Sequence, residues 1–202
     1  MPIKAVIFDF GGVMGIREDW SRHRKWEKRL GLREKELSEK VYLSEVGNRA
    51  TIGQATTEEV WQQVVRDFGL DTEQARELRR DFEAAELFNE ELASFLRSLR
   101  PRYKTAILSN AWFGAREIFT ETYKLDDMVD VIIVSYEEGL AKPDPRIFQL
   151  VCERLHARPS EIIFVDDWPP HVQAASALGM KGIVYQTNEQ VMADVRKCLE
   201  ED

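Results

Sequence analysis

Five apolar runs of strand length punctuate the chain: "AVIF" at 5–8, "TAIL" at 105–108, "VIIV" at 131–134, "IIFV" at 162–165 and "GIVY" at 182–185. None alternates polar with apolar positions. An unbroken run means that both faces of the strand are covered, the condition of a parallel sheet lying between helices. Helix-length segments separate the runs. In "NEELASFLRSLR" at 89–100, Leu92, Phe95, Leu96 and Leu99 fall at helical spacing behind a capping Asn89. "DPRIFQLVCERLH", "PHVQAASALGM" and "NEQVMADVRKCLE" fill the later gaps. Alternating strand and helix predict an α/β fold with a doubly wound parallel sheet of the Rossmann-like kind.

Residues 15–88 depart from that rhythm, with helical periodicity and no convincing strand. Thr56 and Glu59 form a capping box ahead of Val60, Trp61, Val64, Val65 and Phe68, and Gly69 is a stop signal. Asp71 and Gln74 open a further helix that carries Leu78, Phe82 and Ala85 on one face. Two charged helices are expected at 19–30 and 33–46. The domain reading is therefore a core made of 1–14 and 89–202, interrupted by an all-helical insertion at 15–88. The charge-rich stretch at 17–40 reads as a solvated helical face.

A length of 202 residues suits one domain with a sizeable insertion. The formal net charge of −8 supplies no basic surface, so nucleic acid is not an expected partner. Cys152 and Cys198 are the only cysteines and form no CxxC pair, which argues against a disulfide framework or a zinc site. No run of about 18 apolar residues marks a membrane span, and the short first run, interrupted by Asp9, is not a signal peptide. A soluble protein of the reducing cytoplasm is expected. Oligomeric state is not legible.

In open α/β sheets, ligands bind beyond the carboxyl ends of the strands. The residues leaving the runs form a consistent set: Asp9 after the first, Ser109 and Asn110 after the second, Lys142 in "GLAKPDPRIF" after the third, Asp166 and Asp167 after the fourth. Carboxylates brought together repel unless a lysine or a hard cation lies among them, and a bound Mg²⁺ resolves the conflict.

"DFGGV" at 9–13, "LSN" at 108–110, "KPDPRIF" at 142–148 and "VDD" at 165–167 followed by "VQAASALGM" together resemble the haloacid dehalogenase-like hydrolase superfamily, most of whose members are Mg²⁺-dependent phosphatases. The insertion matches the helical cap of one large subgroup in place and character. The resemblance implies that Asp9 attacks phosphorus to form an aspartyl-phosphate. It implies Mg²⁺ held by Asp9, the carbonyl of Gly11 and Asp167, with Asp166 as a further ligand or as support for Lys142 from behind. Ser109, the amide of Asn110 and Lys142 would bind the phosphoryl group of a small phosphorylated substrate.

The departure from the family pattern is Gly11, which stands where related phosphatases place a second aspartate as general acid and base. Some members that act on sugar 1-phosphates also have glycine there. Phosphoesters with good leaving groups are the expected substrates, with His171, Glu18 or Asp19 as stand-in proton donors. Arg17, Arg22, Arg49 and Trp20 are candidates for contacting the rest of the substrate, and Trp112 and Trp168 for lining the pocket. His23 and His156 read as surface or partly packed residues. Two other functions share these motifs. One is a non-catalytic protein that binds phosphorylated ligands. The other, a 2-haloacid dehalogenase, is disfavoured by the adjacent acids Asp166 and Asp167, because dehalogenases of this superfamily carry uncharged residues there.

Overall fold

Every apolar run forms a strand of one sheet in the computed structural model, which describes residues 2–84 and 87–200. The strands are β1 (Ala5–Phe8), β2 (Gly15–Ile16), β3 (Leu87–Phe88), β4 (Lys104–Ser109), β5 (Val131–Val134), β6 (Ile162–Asp166) and β7 (Lys181–Val184). Five of them pair in parallel in the order β5-β4-β1-β6-β7, so β1 is central. Its side chains explain the unbroken apolar pattern. Val6 and Phe8 face one layer with Leu92, Leu96, Val191 and Val195, while Ala5 and Ile7 face the other with Phe148, Val151 and Phe164. Each large side chain buried this way contributes about 1.5–3 kcal/mol.

The helices of residues 21–82 are α1 (Ser21–Leu30), α2 (Glu36–Tyr42), α3 (Glu45–Thr51), α4 (Thr57–Phe68) and α5 (Thr72–Phe82). They enclose an apolar cluster of their own, built on Trp26, Leu37, Val41, Val60, Trp61, Val64 and Leu78. Both capping boxes form, at Thr56 with Glu59 and at Asp71 with Gln74, and Gly69 ends α4 in the left-handed conformation. Ala85 lies outside the described residues. The remaining helices flank the sheet: α6 (Glu90–Ser98), α7 (Ala115–Glu117), α8 (Ser135–Glu138), α9 (Pro145–Leu155), α10 (Pro169–Ala177) and α11 (Asn188–Glu200). Asn89 caps α6 by accepting from the Leu92 amide at 3.2 Å. Among the described residues no helix is long and apolar enough to cross a membrane.

Two expectations need correction. The helix expected at 33–46 is two helices, α2 and α3, because Ser44 caps a new start by accepting from the Gly47 amide at 2.9 Å. A side chain at Gly47 would come within 2.3 Å of the Val41 carbonyl, so glycine permits the tight crossover between them. Residues 15–88 are also not wholly helical. Gly15 pairs with Phe88 and Ile16 with Leu87 in an antiparallel ladder. Strands of two residues are too short to leave a periodic signal, yet this pair ties together the points where the chain leaves and rejoins the sheet.

Candidate active site

The register of the sheet assembles the site. Phe8 pairs with Val165 across β1 and β6, so Asp9 and Asp166 leave the two strands at the same level. The Asp9 amide continues the ladder with a 2.8 Å bond to the Val165 carbonyl. On the other side Phe8 pairs with Ile107 of β4, which brings buried Ser109 to the same end. Lys142 arrives from the loop before α9, where Asn110 clamps it. The Asn110 side chain donates to the Lys142 carbonyl and accepts from the Lys142 amide, both at 2.8 Å. That side-chain task was not foreseen, since the motif singled out only the Asn110 backbone.

The Lys142 ammonium, fully buried, lies 2.8 Å from Asp9 Oδ1 and 2.6 Å from Asp166 Oδ2. Asp9 Oδ1 also accepts from the Phe10 amide at 2.7 Å, so the described partners of Asp9 converge on one oxygen and leave Oδ2 to a ligand. Asp166 is occupied on both oxygens: Oδ1 accepts from the Trp168 amide at 2.8 Å, and His171 Nδ1 lies 3.1 Å from each. Asp167 is exposed, and its Oδ2 lies against Gly12, where an added Cβ would meet it at 2.3 Å. Gly12 has φ +74, a conformation that glycine adopts without strain.

Burial pushes the Asp9 carboxyl up to about 8, with Asp166 and Asp167 adding to the shift and Lys142 opposing it. For Lys142, burial would lower the amine, but the charges of Asp9 and Asp166 outweigh it and hold the ammonium above the usual lysine value. Burial would likewise raise Asp166, but the His171 bond and Lys142 keep it below the carboxylate range. Asp167 is raised, first by desolvation and then by Asp166. Lys142 is thus paired with Asp9 and Asp166, and Asp167 adds a third acid nearby. Asp9, Asp166 and His171 offer ligand atoms within 4.8 Å of one another, but Lys142 already serves as the cation between the two acids.

Other candidates are placed differently. Arg17 donates to the Phe82 carbonyl at 3.2 Å and lies over the Trp20 ring. Arg22 is exposed, and Arg49 is held by the Gln54 carbonyl at 2.9 Å. Glu18 is exposed, and Asp19 accepts from the Ser21 amide at the start of α1. Trp168 is exposed, whereas Trp112 is half-buried and donates from Nε1 to Thr51 Oγ1 at 3.1 Å. His156 is exposed as expected, but His23 is buried against Trp20 and Phe82.

These residues meet at the carboxyl end of the sheet. The family model of haloacid dehalogenase-like hydrolases matches residues 3–179. The chain belongs to the haloacid dehalogenase-like hydrolases. This hydrolase is 30% identical to "Phosphatase MT3486" of Mycobacterium tuberculosis, over 96% of the chain and 94% of that protein. It is 28% identical to the D-ribitol-5-phosphate phosphatase of Bacteroides thetaiotaomicron, over 89% of the chain and 90% of that enzyme. Identity to the pig (Sus scrofa) bifunctional epoxide hydrolase 2 is 26% over 98% of the chain, which spans only 39% of that larger protein. A haloacid dehalogenase-like enzyme of Bacteroides thetaiotaomicron, solved with magnesium and inorganic phosphate, shares the fold at a TM-score of 0.72 and 24% identity, over 92% of this chain and 96% of that one.

Proposed function

We propose that this hydrolase is a Mg²⁺-dependent phosphomonoesterase that works through an aspartyl-phosphate on Asp9 and acts on a small phosphorylated metabolite. The observation that carries the reading is the one-sided engagement of Asp9. Lys142 and the Phe10 amide hold Oδ1, which orients Oδ2 as the attacking atom. The phosphatase relatives support a phosphate ester as the substrate.

A hard divalent cation fits the surplus of carboxylates, with Asp9, the Gly11 carbonyl and Asp167 as its holders. Asp166, spent on Lys142, Trp168 and His171, stands behind them. When bound, the cation neutralises charge between nucleophile and phosphate. Asp9 Oδ2 forms a bond to phosphorus as the bond to the ester oxygen breaks; the leaving group departs with that electron pair and takes a proton from solvent water. Water then attacks the aspartyl-phosphate, releasing inorganic phosphate and restoring Asp9. Lys142 steadies Asp9 and the transferring oxygens, and Ser109 with the Asn110 amide binds the phosphoryl group. Gly11 supplies no proton, which favours esters with good leaving groups such as glycosyl phosphates.

The helical insertion, in this reading, is a cap that covers the strand ends and selects the substrate. Supporting it, Trp112 follows Asn110 by two residues, donates to Thr51 of α3, and meets the Tyr42 ring at 5.1 Å. The test is hydrolysis of an aryl phosphate and of a panel including sugar 1-phosphates. Turnover should need Mg²⁺, cease with EDTA, and vanish in Asp9→Asn. Turnover that persists in Asp9→Asn removes the reading.

A further inference from the structure

His171 has no task in the reaction as described, yet it is built tightly into the site. Its ring stands in the first turn of α10, with Nδ1 3.1 Å from both oxygens of Asp166. A carboxylate that already serves as counter-ion to Lys142 can only accept, so Nδ1 must be the protonated ring nitrogen. Asp166 then receives three donors: Lys142 Nζ at 2.6 Å, the Trp168 amide at 2.8 Å and His171 Nδ1. Its side chain is fully buried, so its oxygens depend on these protein donors. The contacts form a chain from His171 to Asp166, from Asp166 to Lys142, and from Lys142 to Asp9.

We infer that His171 is a positioning residue: its Nδ1–H completes the donor shell of Asp166, fixing that carboxylate as the counter-ion that sets Lys142 against Asp9 and leaving Asp167 as the fourth-motif acid free for a cation. The inference rests on the phosphatase reading of the site. It differs from the use of His171 as a proton donor, which would act through Nε2, and from direct ligation of a metal by the nitrogen that faces Asp166.

Two measurements test it. NMR of metal-free protein carrying ¹⁵N-labelled histidine should show a proton on His171 Nδ1, its signal assigned by its loss in His171→Asn. A bare Nδ1 overturns the inference. This reading needs no turnover, so it separates the role of His171 from the success of the phosphatase assignment. In the second, kcat and KM on an aryl phosphate are compared for His171→Ala and His171→Asn, because the asparagine amide can donate from the place of Nδ1 while Nε2 is gone. The alanine variant should lose about 10- to 100-fold in kcat with little change in KM, the size of effect found when support behind a metal site is removed. The asparagine variant should recover most of that loss. Equal loss in both variants overturns the inference, because Nε2 would then be the working atom. If His171→Ala fails to fold, the NMR measurement on the unaltered protein still decides.

Discussion

The carboxylate of Asp167 rests so closely on Gly12 that a methyl group there would lie 2.3 Å from Oδ2. The same glycine has φ +74. Gly12→Ala should therefore suffer twice. The left-handed backbone costs about 1–2 kcal/mol for a residue with a side chain, and the Asp167 carboxylate must move. Gly31 isolates the first effect, since it has φ +71 at the end of α1 with no atom within 4 Å of an added Cβ. Both alanine variants should melt at a lower temperature, but only Gly12→Ala should weaken Mg²⁺ binding measured by calorimetry. Equal Mg²⁺ affinity in the two would show that Asp167 is not a ligand.

Among the described residues Lys142 is the one cation between Asp9 and Asp166, and its side chain has no exposure to solvent. Lys142→Met leaves two buried carboxylates facing each other. Breaking a buried ion pair costs about 3–5 kcal/mol, so the metal-free variant should melt well below the parent at pH 9. Burial already lifts Asp9 to about 8 and the loss of Lys142 lifts it further, so the deficit should shrink as pH falls through 8 and the buried acid is neutralised. Melting temperatures of both proteins from pH 9 to pH 6 test this, and a deficit independent of pH would point to lost packing instead.

His23 supplies a pH dependence remote from the chemistry. It is buried, its Nδ1 has no hydrogen-bond partner among the described residues, and burial with nearby Arg17 lowers its pKa from 6.5 to about 4. Between those values the unfolded chain binds a proton that the folded one does not. Stability from this group is therefore fully present above pH 6.5 and declines as pH falls towards 4, by on the order of 1–2 kcal/mol once solvent screening is allowed for. His23→Leu should flatten the melting curve over that interval and raise stability at pH 5. A variant with the parent's slope would assign the acid sensitivity to other groups.

The sheet was legible because a strand buried on both faces must be apolar at every position, as Ala5 to Phe8 are between two layers. The helices between Ser21 and Phe82 were legible through their caps, and least so at Ser44, whose capping role depends on a crossover at Gly47 that residue spacing does not encode. Asp9 and the fourth-motif acids, at strand ends, and Lys142, in the loop after the third run, could be picked out as candidates. Their division of labour could not. Asp166 is the last residue of β6 and level with Asp9, whereas Asp167 lies one residue beyond, so register decides which acid pairs with Lys142. The Asn110 clamp was hidden for the same reason, because its partner comes from a loop more than thirty residues away. The burial of His23 also escaped, since a charged helix gives no sign that one polar residue in it turns inward to Phe82.

Gly11 gives the sharpest test of the proposed chemistry. It is exposed, an added Cβ would meet no atom within 4 Å, and its backbone is not among the positive-φ residues, so Gly11→Asp should fold without strain. The new carboxyl would stand two residues after the nucleophile while the Gly11 carbonyl stays in the chain to face a cation. General acid catalysis contributes about 10²–10⁴-fold where proton transfer limits the rate. The gain should therefore depend on the substrate. For an aryl phosphate, whose leaving group departs readily as an anion, kcat should change little. For alkyl phosphates it should rise by at least about tenfold, so that log kcat falls less steeply with leaving-group pKa than in the parent. An identical slope in the two proteins would mean that a proton already reaches the ester oxygen from another group, and that Gly11 is not why good leaving groups are favoured.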